Sequence, residues 1–435
     1  MACLILYTDF RFYPMASLAK ESFKYHHPDV DIFLVGPEQL PFFQKSLIRY
    51  VSGDSWGVGP LKYFLAQQIF SMGYNKVICL GADTATFARL DEFIEDDSAQ
   101  IITSVDSNTP LYEVLQEVKN LENVPLLDGK PGNPLTPHIL ACSQVSNENL
   151  NEQEYVHLNA DVVCFNDDVA SIYPSDDGFP CRSEDILHPQ KNPLSMFLTM
   201  LGVITKCYPS LALGYREQGL LNVLLLQGDQ GQKLRKEFVT FNQLKAFEPD
   251  FSIEELHSIY DKWVKGDWRL TVVDSPYTAS DVLYNIRSIY ENDESLTKKE
   301  IDERVNSFYV KDGKVYNRDS KHIKVLHFRD SITQLSLDRL GGHINHWKEC
   351  FPEDVVKLLR SQGCKNFFDT DWVQWYKTTM EQASKMLPHA DDNFGFLGKL
   401  YLQKEKEVKE RRDRGEEHFS VNKSKGEQDD YRPKD

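Results

Sequence analysis

The stretch Tyr74-Asn75-Lys76-Val77-Ile78-Cys79-Leu80-Gly81-Ala82-Asp83-Thr84 constrains this chain more than any other. A short apolar run ends abruptly in a carboxylate, and a second acidic pair, Asp91-Glu92, follows. A strand that delivers an acid at its C-terminal tip is the usual way an α/β sheet builds a ligand or metal site. A strand closed by an ordinary polar turn has the same local appearance, so the rest of the chain has to decide between the two.

The first 105 residues alternate in period. Cys3 to Thr8 is a short apolar run, Ala19 to Tyr25 has helical spacing, and Asp31-Ile32-Phe33-Leu34-Val35 is a second strand closed by Gly36-Pro37. Pro60 can open a helix on which Leu61, Phe64, Leu65, Ile69 and Phe70 recur at close to 3.6 residues. The Lys76 to Leu80 strand and Ile101-Ile102 follow. This order predicts a mostly parallel sheet, mixed further on, with helices on both faces.

The segment from Ser107 to Pro137 is less regular. It holds a helix-like piece, Leu111 to Val118, and the loop-forming run Gly129 to Pro134. His157 to Phe165 reads as a strand with polar groups in its first half. Ser195 to Val203 and Glu217 to Leu226 read as helices, and Leu270 to Val273 and Ile323 to Phe328 as strands.

Beyond Trp347 the spacing is helical at Glu353 to Leu359, Trp372 to Met386 and Phe396 to Arg412. The expected division is an α/β domain over 1–345, a helical extension over 346–412 and a disordered tail over 413–435. The mixed-charge run Lys404 to Arg414 suits a solvated helix or a frayed tail better than a membrane anchor.

Charge and cysteines narrow the function. A formal net charge of −17 argues against binding nucleic acid by bulk electrostatics. No run of about 18 apolar residues is present, so no membrane span is expected. Met1 to Asp9 reads as a strand, not a signal peptide, and the expected setting is cytoplasmic, with leaderless export left open. The eight cysteines form no CxxC pair, which favours buried free thiols over a zinc site.

Four polar clusters interrupt apolar elements: Gly81-Ala82-Asp83, Asn159-Ala160-Asp161, Glu217-Gln218 with Asn222, and His327-Phe328-Arg329-Asp330. A strand-end histidine such as His327, taken alone, is more often a satisfied surface or core residue than a ligand. Glu217-Gln218 also suits the opening turn of a helix, with Asn222 on its polar face. Asp161 is different. A carboxylate inside an apolar strand costs several kcal/mol unless it is paired, metal-bound or at an edge.

Taken in order, these clusters resemble the GT-A-fold glycosyltransferases, most of all family 8, the group of glycogenin and the lipopolysaccharide galactosyltransferases. The first strand ends in Tyr7-Thr8-Asp9, where the family places a Thr-Asp pair near the nucleotide. Ser17-Leu18 and Ser22 follow on the first helix, and Lys62 matches a helix lysine. Gly81-Ala82-Asp83-Thr84 and Leu90-Asp91-Glu92-Phe93 correspond to the Asp-Ala-Asp hallmark and its Leu-Asp-Glu-Leu-Phe sequel. Leu158-Asn159-Ala160-Asp161 corresponds to Phe-Asn-Ala-Gly, Glu217-Gln218-Gly219-Leu220-Leu221-Asn222 to Asp-Gln-Asp-x-x-Asn, and Val325-Leu326-His327-Phe328 to the late metal-binding histidine. The agreement in order and spacing covers roughly residues 1 to 345. Two departures matter: Gly81 stands for the first aspartate of the metal motif, and Asp161 stands for a glycine. The Gly-x-x-Lys-Pro-Trp segment after the histidine is absent, unless Gly341-Gly342 or His346-Trp347 serves in its place.

The resemblance implies transfer of a hexose from a nucleotide diphosphate sugar to an acceptor hydroxyl, with retention at the anomeric carbon. Tyr7, Thr8 and Asp9 would meet the nucleotide, and Asp83 and His327 would hold Mn²⁺ or Mg²⁺ against the diphosphate. Lys62, Arg216 or Arg329 would share its charge, with Asn222 nearby. Asn159, Asp161 and Gln218 would face the donor sugar, and Asp161 also the acceptor hydroxyl. Two other readings stand beside it. One is an inactive or repurposed relative that binds a nucleotide sugar or a protein, favoured by Gly81. The other is a nucleotidyltransferase, which would need further carboxylates near Asp83. The transferase reading requires positions 83 and 327 to meet in space.

Overall fold

In a computed structural model the described residues are 1–7, 12–36, 61–110, 156–166, 194, 199–200, 203, 221, 223–225, 228–273, 308–317, 320–327, 344, 348 and 352–386. The helices expected at 111–118 and 396–412, the Gly- and Pro-rich run 129–134 and the tail 413–435 lie outside them. So does most of the two helices expected around 195–203 and 217–226, whose few described residues are helical.

Six strands form the main sheet. They are β1 (Ala2–Leu6), β2 (Asp31–Val35), β3 (Lys76–Gly81), β5 (Ile101–Pro110), β6 (Val156–Asn166) and β7 (Leu270–Val273). Their order is β2-β1-β3-β6-β5-β7. β1 is parallel to β2 and β3, and β5 to β7, while β6 is antiparallel to both its neighbours. Five strands therefore run one way and β6 runs against them. This fits the expected mostly parallel, mixed α/β architecture.

The strands are apolar on both faces, as a sheet covered on both sides requires. Along β1, Ala2 and Leu4 point into one apolar cluster, and Cys3 and Ile5 into another. Along β3, Val77 and Cys79 join the first cluster, and Ile78 and Leu80 the second. Each fully buried Leu, Ile or Val among them contributes about 1.5–3 kcal/mol. Cys3, Cys79, Cys164 and Cys364 are free and buried, as expected of the cysteines among the described residues.

Helix α1 (Tyr13–His26) supplies Ala16, Ala19 and Phe23 to the second cluster. It begins earlier than the spacing of Ala19 to Tyr25 indicated, because Pro14 in its first turn sets a helical φ at no cost in hydrogen bonds. Helix α2 (Leu61–Ser71) covers the other face through Tyr63, Leu65, Ala66, Ile69 and Phe70.

Two small ladders sit beside the sheet. A short strand, β4 (Thr84–Thr86), leads through α3 (Asp91–Ile94) to β5. Helices α4 (Gly228–Phe238), α5 (Phe241–Phe247) and α6 (Ile253–Lys265) precede β7. The hairpin of β8 (Phe308–Lys311) and β9 (Lys314–Asn317) extends to β10 (His322–Ile323), and then comes β11 (Val325–His327). The expected single strand from Ile323 is thus divided at Lys324. The Lys324 carbonyl accepts from Phe87 N at 2.7 Å, and its ammonium pairs with Glu92.

β11 pairs antiparallel with β4, matching Val325 with Thr86, Leu326 with Ala85 and His327 with Thr84. Helices α7 (Glu353–Ser361), α8 (Lys365–Asp369) and α9 (Trp372–Met386) pack behind this ladder. Leu359, Phe367, Trp372 and Tyr376 share one apolar cluster with Met15, Leu18, Ala85 and Leu326. No described helix is long and apolar enough to cross a membrane.

Candidate functional site

The site begins at the C-terminal tip of β3. Gly81 ends the strand, Ala82 and Asp83 turn, and Thr84 opens β4. Thr84 Oγ1 donates to the Gly81 carbonyl at 2.7 Å, closing a turn that leaves the Asp83 carboxylate at the sheet edge. Ser22 of α1 fixes the far end of β4, its Oγ accepting from Thr86 N at 3.0 Å.

The β4–β11 ladder then explains how residues over two hundred positions apart meet. Placing His327 opposite Thr84 sets its ring beside Asp83. His327 Nε2 lies 3.3 Å from Asp83 Oδ2. The third member comes from β6. Because that strand runs against the others, its first half lies at their C-terminal edge, and the register Leu80↔Val162 carries Asp161 toward Gly81. Asp161 Oδ2 lies 3.4 Å from His327 Nδ1, so each ring nitrogen faces one carboxylate. All three side chains are partly exposed, His327 by 12%, Asp83 by 19% and Asp161 by 27%, so a ligand can reach them.

One oxygen from each carboxylate and one imidazole nitrogen lie within 4.8 Å of one another. Adjacent ligands of a six-coordinate Mn²⁺ or Mg²⁺ with bonds near 2.1 Å stand about 3 Å apart, so small side-chain movements suffice. Two hard carboxylates with one imidazole suit Mn²⁺ or Mg²⁺ chemically, with phosphate oxygens and water completing the set. Among the described residues this is the group of three acidic, histidine or cysteine side chains able to hold an ion. Gly81 is what makes room for it. A Cβ there would lie 3.2 Å from Asp161 Cβ and 3.2 Å from Asp83 Oδ1.

The other expected site residues fall out as follows. Tyr7 lies just past β1, 5% exposed, with its N–H donating to Val35 O at 2.9 Å. Its ring lies so close over Gly36 that a Cβ there would come within 2.2 Å of Tyr7 Cζ, and it meets Tyr13 edge-on at 5.6 Å. Tyr13 in turn stacks on Trp375 of α9 at 4.9 Å, which joins the C-terminal helices to the first strand's tip. Lys62 Nζ donates to the Ala160 carbonyl, next to Asp161. Asn159 is 1% exposed, and its Oδ1 accepts from the N–H of Asp161 at 2.6 Å and of Val162 at 3.2 Å. Thr8, Asp9, Arg216, Gln218, Asn222 and Arg329 lie outside the described residues.

Three supporting contacts had no role assigned from the sequence, although Ser22 and Thr84 stand in its motifs. Thr103 Oγ1 donates to the Asn159 carbonyl at 2.7 Å, Ser22 holds β4, and Thr84 closes the Asp83 turn. Thr84, a hydroxyl three residues after the carbonyl it bonds, fits a local turn pattern. The other two act across the fold and leave no local trace.

No protein-family model matches the chain, and no curated protein matches it by sequence. Among solved structures it is similar to the bifunctional glycosyltransferase WbbM in its apo form, at 10% identity and a TM-score of 0.35. That match covers 87% of this chain and 51% of WbbM, so the chain spans about half of WbbM's length. It is also similar to the apo form of mouse xyloside xylosyltransferase 1, at 12% identity and TM-score 0.30, over 75% of this chain and 96% of that one. A third is the galactosyltransferase LgtC in complex with donor and acceptor sugar analogs, at 11% identity and TM-score 0.29, over 82% of this chain and 100% of that one. At scores this low, the site has to stand on its own geometry.

Proposed function

We propose that this chain is a glycosyltransferase that moves a hexose from a nucleotide diphosphate sugar to an acceptor hydroxyl, assisted by a divalent cation. The observation that carries the reading is the meeting of Asp83, Asp161 and His327 at the C-terminal edge of the sheet, where open α/β folds take their ligands. The family resemblance, read from motif order, supports the sugar-nucleotide part and favours retention of configuration.

Electrostatics argue for the ion. Two carboxylates this close to an incoming diphosphate repel it, each pair of unit charges about 5 Å apart costing about 3 kcal/mol at an effective dielectric of 20. A bound Mn²⁺ or Mg²⁺ supplies positive charge against the departing diphosphate. Asp83 and Asp161 would offer the anionic ligands, and His327 one of its two ring nitrogens. Tyr7, at the tip of the neighbouring strand, would lie beside the nucleotide under this reading. Binding without turnover is the second reading, favoured by the glycine at position 81.

Calorimetric titration with uridine and guanosine diphosphate sugars, with and without Mn²⁺, tests the proposal, together with an assay for nucleoside diphosphate release. The expected result is Mn²⁺-dependent binding and release, with Mn²⁺ affinity reduced about 100-fold or more in Asp83→Ala and the fold intact. Tight binding without Mn²⁺ and without release would establish the binding-only reading. Failure of every sugar nucleotide to bind in saturating Mn²⁺ would overturn both.

A further inference from the structure

The reading of the cluster as a cation site leaves open why Asp161 reaches it at all. On β6, Val163 and Phe165 point into the apolar cluster on the α2 face of the sheet, and Val162 and Cys164 into the cluster on the α1 face. Strict alternation would put Asp161 on the α2 face with Val163. A carboxylate there would be buried among Leu, Val and Phe side chains at a cost of several kcal/mol.

The chain breaks this alternation with a bulge. The β5 pairing jumps from Thr103↔Val163 to Val105↔Leu158, so Ser104 alone stands against the four residues Asn159 to Val162. The extra residues change the parity of the strand. Leu158 and Ala160 lie in the α2-face cluster with Val163 and Phe165, so the alternation breaks at Asp161, whose carboxylate meets His327. Bulges beside functional sites commonly re-aim a side chain in this way.

The bulge is held by side chains. Asn159 Oδ1 gathers the N–H groups of Asp161 and Val162, which the distorted ladder to β5 no longer pairs in regular register. Thr103 Oγ1 holds the Asn159 carbonyl, and Lys62 Nζ the Ala160 carbonyl. We propose that Asn159 is a positioning residue. Its amide oxygen sets the backbone shape that turns Asp161 into the cluster, and it acts on the cation only through Asp161.

The test is a double-mutant cycle on the full chain, with Mn²⁺ as the probe and its free electron paramagnetic resonance signal as the readout. Asn159→Ala is expected to weaken Mn²⁺ binding about tenfold or more, as loss of a residue supporting a ligand does. In the Asp161→Ala background the same change should add less than about twofold, because the two act through one path. Thr103→Val keeps shape and removes one of the bonds. It should weaken binding about threefold, and it carries the same cycle if Asn159→Ala does not fold. Unchanged Mn²⁺ affinity in the Asn159 and Thr103 variants, or a loss as large in the Asp161→Ala background as in the wild type, would overturn the inference and leave the cation site standing. A wild-type chain that binds no Mn²⁺ would overturn both.

Discussion

The two ends of strand β3 solve the same problem in opposite ways. At its N-terminal end Lys76 is buried, with its side chain 6% exposed, and its ammonium donates to Ile94 O at 2.6 Å, Asp96 O at 3.3 Å and the Asp97 carboxylate at 2.7 Å. The neighbouring Asp96 carboxylate accepts from Ser98 N and Oγ, Ala99 N and Thr271 Oγ1. Those bonds, Ser98's first, hold its carboxyl down at about 2. The ammonium of Lys76 and the carboxylate of Asp96 thus find their partners within the protein. At the C-terminal end, two carboxylates and an imidazole converge, and among the described residues the side chain each carboxylate meets is His327. Matched polar groups stabilise a fold, whereas acceptors gathered around one point invite a cation.

The sharpest way to break that contrast is to damage the closed end. Lys76→Met should destabilise the protein by about 2 kcal/mol, since it takes the donor from the part-buried Ile94 carbonyl and the Asp97 carboxylate, while the Asp96 carbonyl keeps Asn166 Nδ2. Urea denaturation measures the loss, and Mn²⁺ affinity of the folded variant should stay within about twofold of wild type. A large drop in affinity would show that the ends are coupled and that the division of labour along β3 is false.

The open end can be sharpened by moving a carboxylate across it. Asp161→Gly should weaken Mn²⁺ binding about 30- to 100-fold, or roughly 2 to 3 kcal/mol. Adding Gly81→Asp places a carboxylate stem in the volume next to Asp83, where a Cβ at 81 would otherwise press on Asp161 Cβ at 3.2 Å. The double variant should recover affinity to within about tenfold of wild type, as measured by calorimetry. If it binds no better than Asp161→Gly, the place of the charge matters less than the ring orientation that Asp161 gives His327.

Much of this arrangement was legible in the chain. The apolar runs of β1, β2 and β3 and the spacing of α2 are local signals, because a two-sided sheet demands uninterrupted apolar strands. Asp161 was recognisable as a carboxylate in need of a partner, and it meets His327. The adjacency of Asp83 and His327 followed from motif order, but its cause, the β4–β11 ladder, could not be read, since three-residue strands carry almost no pattern. The β6 bulge was equally silent, because it depends on Thr103 and Lys62 from other elements.

Other elements had local signals that went unused. Thr240 with Gln243 and Ser252 with Glu255 are capping boxes that open α5 and α6. Asp312-Gly313, with both residues at positive φ, turns the β8–β9 hairpin. Inside the α4–α6 group, buried Arg235 donates to the carbonyls of Val223, Leu224, Val264 and Lys265, and nothing in its local sequence foretells that.

The same contrast separates two histidines. His327 stands between carboxylates at the open end, while His27, 2% exposed, stacks near Phe23 and accepts the Leu90 N–H on Nε2 at 3.2 Å. Burial, with the charges of Arg89 and His26 adding, pushes His27 from 6.5 down to about 4. Above 6.5 the ring is neutral in both folded and unfolded chains, and its contribution to stability is complete. Between 6.5 and about 4 the unfolded chain takes up a proton that the folded chain refuses, so stability falls as pH falls, and below about 4 no further loss accrues. Linkage puts the difference between pH 7 and pH 5 at about 2 kcal/mol. Glu21, raised to about 6 by burial, works against this slope, because its protonated form is favoured on folding. Subtracting the stability curve of His27→Gln from that of wild type isolates the histidine, since glutamine can still accept the Leu90 N–H. A difference curve that stays flat from pH 7 to 5 would mean that His27 takes up its proton in the folded chain as readily as in the unfolded one, giving up the Leu90 bond at no net cost, and that a filled acceptor is a poorer mark of a structural role than the two ends of β3 imply.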